Sequence, residues 1–201
     1  TADTLTAAVS GGIKIQAAEY FVDSRGVPGS GNAMQGVFAS ASVGVTAVFP
    51  IAGLKDGKHV VYVRGQDASG AWGNLSDGLD FMVDTKPPVI MNAAVSYPSG
   101  NASAVKNGDT VLITTFAADS GAGLSAVSAV VLNSSGIGGN TARAMSDSGT
   151  NGDKTAGDKI YSYSVTVNAA TALVSADLFV SALDAAGNIS SATVNVVLDN
   201  K

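Results

Sequence analysis

The chain is 201 residues long, carries a net charge of -5 at neutral pH, has no cysteine, and only 13% of it is charged. One His, one Glu and no Cys leave too few groups for a zinc site, a thiol nucleophile or a paired-Glu mechanism. The acidic balance excludes a general binder of nucleic-acid phosphates. Of the 16 acidic residues, 15 are Asp and one is Glu19. Asp caps and turns whereas Glu favours helices, so this acid pool, beside 24 Gly, points to an all-β chain.

Hydrophobic residues make up 46% of the chain and aromatics 6%, so its core material is mostly Ala and Val, suited to thin β layers. The length allows one large β domain or two of ordinary size. Low charge suits extracellular modules and protein polymers better than cytosolic enzymes. Two uncharged runs, Gly36 to Leu54 and Gly121 to Ala142, do not read as membrane helices. The first alternates Val43, Val45, Ala47 and Phe49 against Gly44, Thr46 and Val48, a strand period, and the second is broken by Asn133, Ser134, Ser135 and glycines. Thr1 is not an initiator Met and no signal peptide is present, so a processed form or a piece of a longer chain is expected.

Taken in chain order, strand signals fall at Ile13 to Asp23, Gln35 to Ser40, Val43 to Phe49, Lys58 to Asp67 and Gly78 to Asp84. They continue at Val89 to Ser96, Thr110 to Ala118, Ala126 to Leu132, Arg143 to Asp147, Ile160 to Val167, Ala176 to Asp184 and Ala192 to Asp199. The alternation at 160–167 predicts Tyr161, Tyr163, Val165 and Val167 on one face and Ile160, Ser162, Ser164 and Thr166 on the other. The N-terminal stretch Leu5 to Val9 reads as a strand available for donation to a neighbouring copy.

The segment from Val61 to Lys86 lines up with that from Leu178 to Lys201, pairing Asp67 with Asp184, Gly70 with Gly187, Asn74 with Asn188 and Asp84 with Asp199. Both copies read as a strand, a D-x-x-G turn and a last strand ending in Asp, a polar residue and Lys. A repeat of this period marks tandem modules. The expected boundary is Lys86-Pro87-Pro88, giving modules 1–86 and 87–201, because two prolines cannot extend a ladder.

The stretch L-K-D-G-K-H-V-V-Y-V-R-G-Q-D-A-S-G-A-W-G (Leu54 to Gly73), followed by V-D-T-K-P-P, resembles the bacterial and archaeal immunoglobulin-like, fibronectin type III-like modules of secreted and surface proteins. In the second half, F-A-A-D-S-G-A-G-L, D-S-G-T-N-G-D-K-T-A-G-D-K-I-Y-S and L-D-A-A-G-N resemble a related module. The resemblance implies two tandem immunoglobulin-like antiparallel β-sandwiches and an extracellular or cell-surface location. It puts His59 near a corner where a Tyr often anchors the chain, a structural role. It also places Trp72 in a hairpin loop, where it covers the end of the core or stacks on a sugar ring.

Asp147, Asn151, Asp153 and Asp158 follow much of a twelve-residue calcium loop: oxygen side chains at relative positions 1, 5 and 12, Gly152 at position 6, and a position-7 carbonyl at Asp153. Gly149 at position 3 has no side chain, and Asp158 is shorter than the usual Glu. The other reading is turn chemistry, because Asx side chains bond their own backbone. Asp119 and Asp184 end strands at one pole of the second module, where turn capping is the simpler role. In the first module Arg25 stands where related modules carry an acid, and could pair with Asp23. Sequons occur at Asn74, Asn101, Asn133 and Asn188.

The expected function is that of a non-catalytic extracellular structural protein, a tandem subunit of a surface layer, filament or adhesin. Its partners would be copies of itself or neighbouring modules, with calcium as the cation. The alternative is a spacer or carbohydrate-binding module of a secreted hydrolase, for which Trp72, Tyr62 and Tyr20 are the candidate aromatics in the first module and a surface glycan the ligand. No Asp/Glu pair stands in a recognisable catalytic context.

Overall fold

The computed structural model describes residues 2–99, 103–120, 126–169 and 174–199. The chain divides into two compact units, Thr1–Asp84 and Thr85–Lys201. In the first unit the strands are β1 (Ala2–Ser10), β2 (Ile15–Val22), β3 (Asn32–Ala33), β4 (Gln35–Gly36), β5 (Ser42–Pro50), β6 (Gly57–Asp67) and β7 (Leu79–Val83). They form two antiparallel sheets in the orders β1-β5-β4 and β3-β2-β6-β7. In the second unit β8 (Val89–Ser96), β9 (Thr110–Ala118), β10 (Val127–Asn133), β11 (Arg143–Ala144), β12 (Ile160–Thr166), β13 (Ser175–Asp184) and β14 (Ile189–Val197) form the sheets β12-β9-β8 and β11-β10-β13-β14. Among the described residues the only helix is a single 3-10 turn, Ser135–Ile137.

Each unit is an immunoglobulin-like sandwich whose core lies between its two sheets. Period-two patterning supplies that core. In β5 Val43, Val45, Ala47 and Phe49 are buried while the residues between them are exposed. In β9 Val111, Ile113, Thr115 and Ala117 point inward, and the Thr115 hydroxyl donates to Met91 O (3.2 Å). Each buried Val or Leu contributes roughly 1.5–3 kcal/mol. The stretch read as a donated strand, Leu5 to Val9, is instead bound within its own unit. It lies in β1, pairs residue by residue with β5, and buries Leu5 and Val9.

The repeated D-x-x-G motif is one turn made twice. Asp67 Oδ1 accepts from Ser69 N (2.8 Å) and Ala71 N (3.0 Å), and Asp184 Oδ1 accepts from Asn188 N (2.8 Å). Gly70 and Gly187 take φ of 87° and 90°, which a side chain would oppose. The motif therefore folds the last two strands of each sandwich against each other.

The sole Glu has a role that its sequence neighbourhood does not announce. Glu19 on β2 stands opposite Arg64 on β6, and Arg64 Nε donates to Glu19 Oε1 at 2.6 Å with both side chains buried. Gly29 N and Gly31 N also donate to this carboxylate (3.0 and 2.7 Å), and Arg64 Nη2 donates to Gly26 O (2.7 Å). The guanidinium lies over the rings of Phe21 (4.9 Å) and Trp72 (5.9 Å). The pair thus pins the 24–31 segment and the Trp72 loop onto the outer face of the sheet. A Cβ at Gly31 would sit 2.8 Å from the Phe21 ring, so the segment can pass there only as glycine.

Arg64→Met strands a buried carboxylate and should lower the unfolding free energy of the first unit by about 3–5 kcal/mol. Adding Glu19→Gln should recover part of the loss, because it removes the buried charge while the one amide oxygen still accepts from one of the two glycine N–H groups. Urea unfolding followed by Trp72 fluorescence checks both, since the chain has one Trp and it lies in this unit.

Candidate functional site

The acidic loop of the second unit joins β11 to β12. Its ends are tied by Ser146 and Ser162, whose backbones exchange hydrogen bonds of 2.9 and 2.8 Å. Between them Asp147 Oδ1 accepts from Gly157 N (2.9 Å) and Oδ2 from Lys159 N (3.2 Å). Asp153 Oδ2 accepts from Gly149 N (2.6 Å) and Oδ1 from Thr155 N (3.3 Å), and Asp158 Oδ1 accepts from Ile160 N (2.9 Å). Gly152 has φ of 93°, a conformation that a side chain strains, and a Cβ there would force the Leu112 side chain to move.

These bonds fold the loop so that Asp147, Asp153 and Asp158 each bring a carboxylate oxygen within 4.8 Å of the others. Asp153 is 9% exposed, and Asp158 faces solvent. Asn151 belongs to the same loop with φ of 55°, and its carbonyl accepts from the Ser162 hydroxyl (3.4 Å). Ser162, on the strand face opposite Tyr161 and Tyr163, is fully buried beneath the loop. Beside Asp153 and Asp158 lies an open hollow of about 400 Å³ that also touches Thr114, Thr155 and Ser162. The Tyr161 phenol is pushed above its ordinary range by burial and then by the Asp147 charge.

An oxygen-only donor set of this kind suits a hard cation such as calcium, which takes about 6–8 oxygens. Each carboxylate oxygen bonded to one amide keeps a further lone pair for a ligand. The same carboxylates also perform turn capping, with five backbone N–H groups already donating to them. At the pole of this unit Asp119 and Asp184 approach within 4.8 Å. Asp119 Oδ1 accepts from Ser120 N (2.6 Å), and Asn188 Nδ2 donates to Asp184 Oδ2 (2.9 Å).

Asp23 does not pair with Arg25. Asp23 Oδ2 meets His59 Nδ1 at 2.6 Å, Asp23 Oδ1 accepts from Val60 N (3.0 Å), and Arg25 lies over the Tyr62 ring (4.8 Å). His59 Nε2 faces the Lys55 carbonyl at 2.7 Å, so both ring nitrogens look at acceptors, an arrangement that the imidazolium satisfies. Tyr20 is buried against Phe49, which removes it from any aromatic platform. Trp72 covers Arg64. Asn133 Oδ1 accepts from Ser135 N (3.1 Å), a turn bond, and Asn101 lies outside the described residues. No helix among the described residues is long and apolar enough to cross a membrane.

No family model and no curated protein matches the chain. Solved structures similar to it include the fibronectin(III)-like modules of Clostridium thermocellum CbhA, at 11% identity over 98% of this chain and 85% of that one, with a TM-score of 0.46. The tetra-tandem repeat in the extending region of a large adhesion protein matches at 18% identity over 100% and 50% of the two chains, TM-score 0.36. The D00-D0 domain of intimin matches at 12% identity over 97% and 92%, TM-score 0.31.

The His59 contacts make the first unit pH-sensitive. The Lys55 carbonyl and then Asp23 hold the imidazolium, raising its pKa above the ordinary 6.5. The stabilisation is complete below 6.5 and is lost as pH rises through the folded value. The melting midpoint read by Trp72 fluorescence should therefore fall as pH rises above 6.5, and His59→Gln should flatten the dependence. His59 and Val60 N hold both carboxylate oxygens of Asp23, whose φ is 57°.

Proposed function

We propose that this chain is a non-catalytic structural segment of an extracellular protein, its tandem sandwiches acting as spacers in a surface layer, filament or adhesin. One observation supports the reading above the rest: two units whose four-stranded sheets share one strand order, each closed by the same Asp-capped turn with a left-handed glycine. Repetition of a closing element is what an array of modules requires. The loop aspartates are ordered by backbone amides in turns, and the candidate aromatics Tyr20 and Trp72 pack against Phe49 and Arg64 instead of forming a platform. Concentrated protein viewed by electron microscopy should show lateral or end-to-end association. Monomers alone at every concentration, with and without calcium, would count against a filament or layer.

The acidic loop is assigned, within this reading, to calcium. Asp147, Asp153 and Asp158 would supply carboxylate oxygens and the Asp153 carbonyl a further one, with Asn151 as the remaining side-chain donor. A cation there offsets the mutual repulsion of three carboxylates and stiffens the module. Millimolar calcium should raise the melting midpoint of the second unit relative to chelator, followed by calorimetry. Asp158→Asn keeps its oxygen for Ile160 N but removes one charge, and should abolish most of the shift. Equal midpoints in calcium and chelator would reduce the loop to a turn.

A further inference from the structure

The second unit has a strand that the first unit does not. The four-stranded sheets correspond in order, β3-β2-β6-β7 with β11-β10-β13-β14, and β1 pairs with β5 as β9 pairs with β12. On its other edge β9 is covered by β8, which contributes Ile90, Ala93 and Val95 to the core. Among the described residues nothing pairs with the matching edge of β1, which ends its sheet. The place is hollow. Two adjoining cavities of about 340 and 210 Å³ run between β1 and the 63–79 segment and share Ala8, Val9, Val63 and Ser76. Leu79, 59% exposed, stands at their rim.

The free edge is also unprotected. Gly11 N donates to Ala41 O, continuing the ladder, so the odd-numbered residues of β1 face β5. Thr6 and Ala8 then turn their N–H and C=O groups to the open side, whereas Thr4 N donates to Asp3 Oδ1 (2.7 Å). From Thr4 to Ser10 this edge has no charge, proline or bulge, the devices by which sheets keep open edges from pairing.

We infer that this slot receives an extended β-strand of β8's chemistry, uncharged and alternating apolar with small polar side chains. It is supplied as β8 is supplied to the second unit, from polypeptide on the N-terminal side of the strand that it covers. The source of that strand rests on the tandem-module reading, whereas the slot rests on the missing strand itself. Its apolar side chains fill the two cavities, and its backbone completes the β1 amides by β-augmentation.

The test extends the full chain ahead of residue 1 with a copy of residues 87–109, which holds β8 and its connection to β9. The first-unit midpoint, read by Trp72 fluorescence, should rise by about 5 °C or more. Hydrogen exchange at Thr6 and Ala8 should slow by about tenfold or more. Ala8→Pro removes a donor from the open side while sparing the β5 ladder, and should cancel the gain. If that variant unfolds the first unit on its own, the exchange data on the unsubstituted extended chain decide. An unchanged midpoint, or a rise without slowing at those two amides, overturns the proposal. Neither outcome bears on association of the unextended chain in micrographs, which tests the structural-segment reading separately.

Discussion

The carboxylate that accepts a backbone N–H is the interaction on which this chain is built. Thin strands of Val, Ala and Thr carry little information about where they should reverse, and the reversals are set by acidic side chains instead. Asp67 and Asp184 close the final hairpins, Asp147 and Asp153 shape the long loop, and Asp23 receives Val60 N across the sheet. Asp suits the task because its short side chain meets nearby backbone amides without loss of much rotamer entropy, two to four residues on in the hairpin turns and farther along the chain for Asp147 and Asp23. The chain can thus have few charges and still order its loops.

Glu19 extends the principle to the sheet surface. Its longer side chain reaches two glycine amides ten and twelve residues on, and its charge is balanced by Arg64 from the neighbouring strand. A buried ion pair is a weak source of net stability, so its value lies in specifying one path for the 24–31 segment. That path explains why β2 is buried on both faces, whereas β5, with its outer face in solvent, alternates.

Strands whose period is carried by β-branched residues were legible in the sequence, and β8 and β9 begin and end where their patterns do. The carboxylate loop was legible too, because its three Asp lie within twelve residues and local turn rules bring them together. What escaped depended on distance. The Glu19–Arg64 pair joins residues 45 positions apart, with no local signal at either. β1 looks unattached until its partner, some forty residues on, is known, and the burial of Ser162 follows only once the loop lies over it. Asp23 chose His59 over the adjacent Arg25 because β6 runs close to the turn, which sequence proximity does not reveal.

The preference for glycine at position 152 has a chemical sequel. It places a side-chain amide, Asn151, directly before a residue with no Cβ, the pairing in which the following backbone nitrogen most easily attacks the amide and expels ammonia. The product is aspartate or isoaspartate, a fourth negative charge in a loop that already gathers three. An isoaspartate would also lengthen the backbone by one bond where φ values of 55° and 93° are held in succession. The geometry that makes the loop compact therefore also limits its chemical durability.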